Sequence, residues 1–574
     1  MEPLLKKGIK LWFKINVLAI IVGIAGGLGA VIFRKMIELF NYIFFGLLLP
    51  HITYVWNGYN LGVILLPALG GLLVGPIIQS IAPETKGHGV PEVMEVVHRQ
   101  GGRIRARVAA MKILVSSITI GSGGSVGREG PIAQIGSTIG SFLGSIFGLS
   151  ESYVKLLIVC GLASGIAATF MAPLGGAIFG IEVIYRGVAP YDVIPVFLAS
   201  VVGMVVAGEI FGLELAFKVP KYNLTNPLEL VYFIPIGVAL GLLSILWVKS
   251  LYFFEDRFND IPMKEWIKPT LGGVLVGLVG VFYMRYGIMG VGYEGIDQAL
   301  AGDLPIKMLF FLGLLKIVAT SLTVGSGCSG GIFAPSLYIG AMFGGFLGPF
   351  LSWMPMSSTQ PYVYSIVGMS ALFAGASNAP LTCIVMLPEM TDNYHLLPPL
   401  MLACASSYFV STILMGESIY TLKLKRRGVN IDTSLNPLQL VRVEEVMTPV
   451  ENVISVKRET PLSVVSFMIW ETKHTGFPVV DGNQLLGLVT LKQLPEASIL
   501  ELENVLVKDV LIEDVATVSL DDTVYTVLDK MKNYDIEILP VVDKQDKRKI
   551  VGIISKRDAI NAFTVGKEKM LLKE

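Results

Sequence analysis

Charged residues are scarce in this chain of 574 residues, which is 16% Asp, Glu, Lys and Arg and 53% hydrophobic. A soluble domain of average composition carries about 25% charged residues. Several apolar runs before residue 416 are near or within the length needed to span a bilayer. Five of them are residues 15–33, 61–78, 193–208, 233–248 and 267–283. The composition predicts a polytopic membrane protein, and the first run lacks the small-residue cleavage site of a signal peptide.

Cysteine and histidine are also rare. The four cysteines all lie in apolar segments, which argues against a disulfide framework. The five histidines are scattered and form no HExxH motif, and no Cys-x-x-Cys motif is present, so a metal site has no support. No nucleophile–base pair or phosphate loop rises above chance. We therefore expect neither an enzyme nor a required cofactor, and no nucleic-acid partner.

The last quarter of the chain differs from the rest in its charge. Residues 441–574 contain 39 of the 90 Lys, Arg, Asp and Glu residues (45 basic plus 45 acidic), and the preceding 440 residues contain the other 51. A basic cluster, LKLKRRG (422–428), marks the boundary, and four lysines precede the first apolar run. Because such clusters stay cytoplasmic, we expect both termini inside and an even number of crossings. The predicted organisation is a membrane domain over residues 1–430 and a soluble tail in two parts, 440–500 and 501–574.

Two pairs of segments repeat within the membrane domain. GSGGSVGREGP (121–131) resembles GSGCSGGIFAP (325–335), and APLGGAIFGIE (172–182) resembles APLTCIVMLPE (379–389). The offsets of 204 and 207 imply two homologous halves, roughly residues 10–215 and 230–420. Duplicated halves with Gly- and Pro-interrupted apolar segments are typical of transporters with discontinuous helices, whose helix starts favour anions. The alternative is that Gly and Pro serve only close helix packing and kinks.

Four motifs, in order, resemble the signature segments of the CLC chloride channels and chloride/proton exchangers. They are GHGVPEV (87–93), GREGP (127–131), GGIFAP (330–335) and PEMTDNY (388–394). The resemblance covers roughly residues 10–425. It implies the CLC fold, an α-helical membrane domain with an inverted internal repeat, surrounded by lipid. It also implies a homodimer with one anion pathway in each subunit.

The resemblance also implies the residues of the anion pathway. The gate, whose carboxylate competes with the anion, falls on Glu129. The backbone amides that coordinate the central chloride fall on Ile332 and Phe333, and a hydroxyl ligand falls on Tyr420. A carboxylate in the first turn of a helix mimics an anion, and protonation ends its electrostatic competition, so anion passage should depend on external pH. The alternative is that Glu129 is only a helix-start carboxylate stabilised by the helix dipole.

Two positions depart from the family pattern. His88 stands where chloride-selective members commonly carry serine; its imidazole could donate a hydrogen bond to the anion, or the ring could turn aside. Val183 stands where proton-coupled members usually carry a second glutamate, and valine cannot carry a proton. We therefore expect channel-like, passive chloride conduction gated by Glu129, with a chloride/proton antiporter as the alternative. Glu182 and its repeat counterpart Glu389 are expected to have structural roles at helix ends.

The tail contains a second repeat, since residues 443–494 resemble residues 507–560. Each copy is predicted to contain a short strand, a helix, two β-rich runs and a helix start, which indicates a small α/β unit. The two copies resemble a pair of CBS domains. Because the chain is compact and lacks targeting extensions, we expect a prokaryotic inner-membrane protein. The basic cluster before the tail leads us to expect that the tail is cytoplasmic.

CBS pairs often bind adenine nucleotides such as ATP, ADP or AMP. By resemblance, Asp558 would accept hydrogen bonds from the ribose hydroxyls, and the base would lie near His474 and Thr475. The first repeat has Gln493 at the position of Asp558, so we expect one competent site rather than two. The alternatives are a purely structural pair that joins the subunits, or a nucleotide-sensing membrane protein that does not transport.

Overall fold

The computed structural model describes residues 2–186, 190–222, 227–352, 360–429, 437–439, 441–494, 502–513, 515–544, 546 and 548–571. The chain divides into two compact units, Met1–Ile431 and Asp432–Glu574. The first unit is almost entirely helical, and the second combines helices with short strands.

Helices α1 to α17 make up most of the first unit. They are α1 Glu2–Asn41, α2 Leu65–Ser80, α3 Val90–Arg99, α4 Arg107–Gly121, α5 Glu129–Ile146, α6 Glu151–Phe170, α7 Pro173–Phe179, α8 Pro190–Phe211, α9 Phe233–Asp260, α10 Lys268–Tyr283, α11 Tyr293–Ala301, α12 Ile306–Gly325, α13 Phe333–Ser352, α14 Pro361–Ser377, α15 Pro380–Thr391, α16 Leu397–Leu414 and α17 Thr421–Arg426. A two-residue hairpin, β1 Val55–Trp56 and β2 Tyr59–Asn60, precedes α2. Among the described residues, nine helical stretches are long and apolar enough to cross a membrane.

The helices of the first unit repeat in order, α1 to α8 matching α9 to α16. Helix α1 packs on α6 and α8, and α9 packs in the same way on α14 and α16. The breaks between helices repeat as well. Helix α6 stops at Met171 and α14 at Asn378, both with left-handed backbone, and a proline occupies the first position of the next helix in each half. The predicted duplicated helical fold is confirmed.

In the described part of the second unit, three further helices and six strands have defined bounds. They are β3 Thr448–Pro449, α18 Leu462–Thr472, β4 Gly476–Asp481, β5 Gln484–Thr490, β6 Val518–Ser519, α19 Val524–Tyr534, β7 Ile538–Val542, β8 Ile550–Ser555 and α20 Lys556–Leu571. One sheet has the order β3-β8-β7-β6, in which only β6 and β7 pair in parallel, and β4 and β5 form a separate antiparallel pair. The predicted α/β character of the tail is confirmed.

The two tail repeats exchange their leading segments. Val443, at the head of the first repeat, donates its N–H to the carbonyl of Asp522 in the second repeat, at 2.9 Å. Val507, at the head of the second repeat, donates to the carbonyl of Thr460 in the first, also at 2.9 Å. Val443 and Val507 are each buried in the apolar core of the other repeat. Each repeat therefore completes the apolar core of the other, and the two repeats form one folded unit.

Candidate functional site

Glu129 is the first residue of α5, in the first half of the membrane unit, and its carboxylate contacts two residues of the second half. The residue is only 2% exposed. Its Oε2 accepts a hydrogen bond from the backbone N–H of Ala334 and its Oε1 one from the hydroxyl of Tyr293, both at 3.3 Å. Ala334 lies in the first turn of α13, where the N–H groups have no acceptor within the helix. The carboxylate therefore occupies the kind of position in which a helix start binds an anion.

Glycine segments hold the starts of α5 and α13 together. Gly127 and Gly331 exchange backbone hydrogen bonds of 2.7 and 2.6 Å as an antiparallel bridge. Gly130 approaches the loop before α3 so closely that an added Cβ would stand 2.0 Å from the carbonyl oxygen of His88. Only glycine fits at such a close approach. The glycine-rich motifs therefore bring the starts of α3, α5 and α13 to one point.

A small cavity of about 10 Å³ lies between these helix starts. All five residues predicted for the anion pathway line it: His88, Glu129, Ile332, Phe333 and Tyr420. The other lining residues are Val90, Gly130, Ile166 and Phe179. A volume of this size is at the lower limit for a single water molecule. With the Glu129 carboxylate in this position, the cavity is too small for a chloride ion beside it.

His88 is buried in this cavity, with an exposed fraction of 1%. Neither of its ring nitrogens has a hydrogen-bond partner among the described residues. Its ring lies 5.7 Å from the ring of Tyr420, centroid to centroid. A neutral imidazole carries one donor and one acceptor, and burying either without a partner costs free energy. This side chain therefore has hydrogen-bonding capacity that the described part of the protein leaves unused.

Two buried lysines support the loops that lead to the site. Lys112 donates to two carbonyls of the loop before α3, at 3.0 Å each. Lys316, 204 positions further on, donates to three carbonyls of the loop before α11, at 2.9, 3.1 and 3.2 Å. Both loops bend at glycines with positive φ, +86° at Gly89 and +98° at Gly292. Sequence reasoning overlooked these lysines, although they share the offset of the GSG motifs.

Val183 lies away from the cavity lining, buried in the π-helical segment that follows α7. Its neighbour Glu182 accepts hydrogen bonds from two backbone N–H groups in the first turn of α15, at 3.0 and 2.7 Å. Its repeat counterpart Glu389 accepts from two N–H groups in the first turn of α7, also at 3.0 and 2.7 Å. Each glutamate thus caps the helix of the other half, which agrees with the structural roles expected at helix ends.

Two contacts of the Glu129 carboxylate were not predicted. Ala334 lies within the GGIFAP motif, one residue beyond the predicted amides of Ile332 and Phe333. Tyr293 lies in a third repeated segment, GVGY (290–293), which matches GHGV (87–90) at an offset of 203. Comparison of these two short segments was the signal that could have located Tyr293. It is too short to stand out without the longer motifs around it.

A larger cavity of about 590 Å³ lies in the tail unit. It brings together the three residues predicted to bind a nucleotide: His474, Thr475 and Asp558. Lys556 and Arg557 also line it and add positive charge. Cavities of about 300–1,000 Å³ are typical of small-molecule sites. The tail therefore has one cavity with the size and the polar groups for a ligand of nucleotide size.

The start of α20 fixes the carboxylate in this cavity. Oδ2 of Asp558 accepts hydrogen bonds from the backbone N–H and the hydroxyl of Ser555, at 3.0 and 2.7 Å. In the first repeat, the amide oxygen of Gln493 accepts from the backbone N–H of Thr490 at 3.0 Å, with the same spacing of three residues. The two repeats thus share one turn, and only the second places a carboxylate in it.

The inverted helical halves and the helix starts that enclose a buried carboxylate define a membrane transport protein for anions. The chain belongs to the voltage gated chloride channel family, whose family model matches residues 70–412. The CBS domain model matches residues 443–498 and 507–564 of the tail. The predicted CLC family, its fold and its CBS pair are therefore confirmed, and the chain is a multi-pass membrane protein.

Known proteins resemble the chain over most of its length. The H(+)/Cl(-) exchange transporter ClcA of Yersinia pestis bv. Antiqua (strain Angola) is 30% identical over 429 residues, covering 72% of this chain and 87% of that protein. The crystal structure of a slow cyanobacterial Cl-/H+ antiporter is 26% identical with a TM-score of 0.65, covering 72% of this chain and 97% of that one. A eukaryotic CLC transporter, 19% identical with a TM-score of 0.63 over 95% and 98% of the two chains, shares the fold.

Proposed function

We propose that this protein exchanges chloride or a similar anion for protons across the membrane, with Glu129 as the gate. Anion transport follows from membership of the family. The first expectation, passive conduction, depended on Val183 alone. The comparisons support the alternative, because the relative at 30% identity is named an exchange transporter and the structure at 26% identity is that of an antiporter.

One observation carries this proposal: the Glu129 carboxylate is bound where an anion would bind. It accepts a hydrogen bond from a helix-start amide of the other half, in a cavity too small for a further chloride ion. An anion can take this position only when the carboxyl group moves away, and protonation favours that movement because it removes the charge that the helix-start amides bind. Because the charged carboxylate would exclude the anion and the protonated carboxyl would not, the binding of a proton at Glu129 favours the binding of an anion, and the movements of the two ions are linked.

Val183 requires that the proton reach Glu129 by another route. His88 lines the same cavity and leaves both ring nitrogens without partners in the described part of the chain. We propose that its N–H faces the anion when one is bound and that the ring, or water beside it, passes the proton.

Proton movement in liposomes tests the exchange. Purified protein is reconstituted with a chloride gradient, the voltage is clamped with valinomycin and potassium, and external pH is recorded. We expect chloride leaving the liposomes to drive protons inward against their own gradient, because both ions use Glu129. Chloride flux without any proton movement under the clamp would instead establish passive conduction. Empty liposomes with the same gradient provide the control.

The pathway is complete within one chain. His88, Glu129, Ile332, Phe333 and Tyr420 all belong to the same membrane unit. We therefore propose that each subunit of the homodimer implied by the family has its own pathway. Light scattering of the purified protein measures the number of subunits.

We further propose that the tail binds an adenine nucleotide in its 590 Å³ cavity and faces the cytoplasm, where such nucleotides are found. The support is the position of Asp558, whose Oδ2 is fixed by Ser555 while each carboxylate oxygen can accept more than one hydrogen bond. Lys556 and Arg557 at the same cavity suit the phosphates.

Replacing Asp558 by Asn should weaken nucleotide binding about tenfold, since a hydrogen bond to a charged group contributes about 1.5–3 kcal/mol. Titration calorimetry of the full-length protein in detergent with AMP, ADP and ATP measures this. Gln493→Ala is the matched control, because it changes the equivalent turn of the first repeat and should leave the affinity unchanged. Equal losses in both variants, or no heat with the unmodified protein, would contradict the assignment.

A further inference from the structure

Tyr293, the first residue of α11, donates its hydroxyl to Oε1 of Glu129 at 3.3 Å. We propose that Tyr293 is a positioning residue that latches the gate carboxylate in its anion-excluding position and so sets the external pH at which anion flux begins. The inference rests on the proposed role of Glu129 as the gate. The hydroxyl of Tyr293 contacts Oε1 and the amide of Ala334 contacts Oε2, so the carboxylate is held at both oxygens.

The ring of Tyr293 is held from several sides. The buried ring of Phe217 meets it edge-on at 5.5 Å between centroids and 80° between planes. Phe217 is itself fixed by a hydrogen bond from its N–H to the carbonyl of Met390, at 3.2 Å. The guanidinium of Arg128 lies over the Tyr293 ring, 5.3 Å from its centroid. The hydroxyl is therefore held in place by packing, as a positioning residue requires.

The backbone around Tyr293 is fixed as well. Gly292, just before it, has a φ of +98°, which directs the chain into α11. Lys316 donates to three carbonyls of the same loop. The tyrosine therefore lies on a rigid support, while the glutamate that it contacts is the group that must move.

Other charged or titratable groups act on Glu129 from neighbouring elements. Arg128 precedes it in the chain, the Lys316 ammonium interacts with it electrostatically from α12, and His88 and Tyr420 share its cavity. Among the side chains of the described residues, Tyr293 is the one that donates a hydrogen bond to the carboxylate. A donor of this kind favours the charged carboxylate over the protonated carboxyl. Removing the hydroxyl should therefore let the gate open at a higher pH.

Tyr293→Phe tests the latch because it removes the hydroxyl and keeps the ring. Chloride flux from liposomes is measured over a series of external pH values. We expect the midpoint to move toward alkaline pH by about one unit, corresponding to a tenfold lower proton concentration. Tyr185→Phe is the matched control: it removes a hydroxyl that donates to the carboxylate of Asp192, also at 3.3 Å and outside the lining of the Glu129 cavity, and should leave the midpoint unchanged.

Phe217→Leu provides a second, independent variant. It keeps the hydroxyl of Tyr293 and loosens the packing of its ring, so we expect a smaller alkaline shift. An unchanged or acid-shifted midpoint in Tyr293→Phe would overturn the latch, and if that variant does not fold, the same result in Phe217→Leu would do so. Failure of the gate itself gives a different result, because Glu129→Gln would then retain the pH dependence of the unmodified protein.

Discussion

Replacing Glu129 by Gln is expected to make anion flux independent of external pH and to abolish chloride-driven proton movement. The amide has nearly the shape of the carboxylate but neither its charge nor its proton. A hydrogen bond to a charged group is worth about 1.5–3 kcal/mol, and 1.4 kcal/mol is a factor of ten. Because the variant lacks the charged carboxylate that competes with chloride, chloride flux at neutral pH should rise by about tenfold. Paired chloride and pH recordings from the same liposomes measure both effects.

Glu294→Gln is the control for this variant. Glu294 is an exposed carboxylate on α11, directly after Tyr293, so it shares the neighbourhood of the gate without lining its cavity. Its replacement should leave both the pH profile and the proton movement intact. If Glu129→Gln retained a normal pH profile, Glu129 would be only a helix-start carboxylate stabilised by the dipole. A preserved proton flux would place the exchanged proton on another residue.

Gly130→Ala should reduce chloride transport by about a hundredfold, the loss typical of displacing a functional group by about 1 Å. The new Cβ would stand 2.0 Å from the carbonyl oxygen of His88 and 3.1 Å from Cα of Gly331. Backbone atoms cannot move aside as a flexible side chain can, so the start of α5 must shift away from α3 and α13. The strain should also cost about 1–3 kcal/mol of stability. Chloride efflux and thermal unfolding in detergent measure the two effects.

Gly29→Ala in α1 provides the comparison. Its added Cβ would meet only side-chain atoms of Ile135 and Ile139, at 3.4 Å, which is ordinary contact. Alanine is favoured over glycine inside a helix by about 0.5–1 kcal/mol, so this variant should be as stable as the parent or slightly more stable. Near-normal transport by Gly130→Ala would show that the three helix starts need not meet so closely.

Much of the fold of the membrane unit could be predicted because its sequence contains an internal repeat. Two repeated motif pairs were sufficient to define the halves, and the helix order α1–α8 and α9–α16 follows them. The exchange of leading segments in the tail could not be predicted in the same way. The segment around Val443, which forms a 3-10 turn, has the same sequence whether it contacts its own repeat or the other one. Only tertiary contacts distinguish these two arrangements.

The grouping of residues at the candidate site was also largely predictable, since all five residues proposed from the family motifs line one cavity. The residues that the prediction missed are those that reach the site through contacts between parts of the chain that are far apart in the sequence. Tyr293 lies 164 positions from Glu129 in the sequence. Its segment, GVGY, has only four residues and is too short to be recognised as a motif by itself. Lys112 and Lys316 each lie within an apolar stretch of a helix, and the apolar pattern of that stretch does not indicate the partners of the lysine. Their carbonyl partners are backbone atoms, which leave no mark in the sequence.

The mutual capping of α7 and α15 limits how this protein can move. Glu389 on α15 satisfies the first backbone amides of α7, and Glu182, in the π-helical segment that follows α7, satisfies those of α15. Separating the two elements would leave two carboxylates and four N–H donors without these partners. An alternating-access cycle in which one half rocks as a rigid body against the other would have to break this link at every turnover. The hydrogen bonds of Glu182 and Glu389 therefore restrain the two halves from moving relative to each other. We therefore expect motion during the transport cycle to be confined to side chains and short loops around the pathway, as the proposed role of Glu129 as the gate requires.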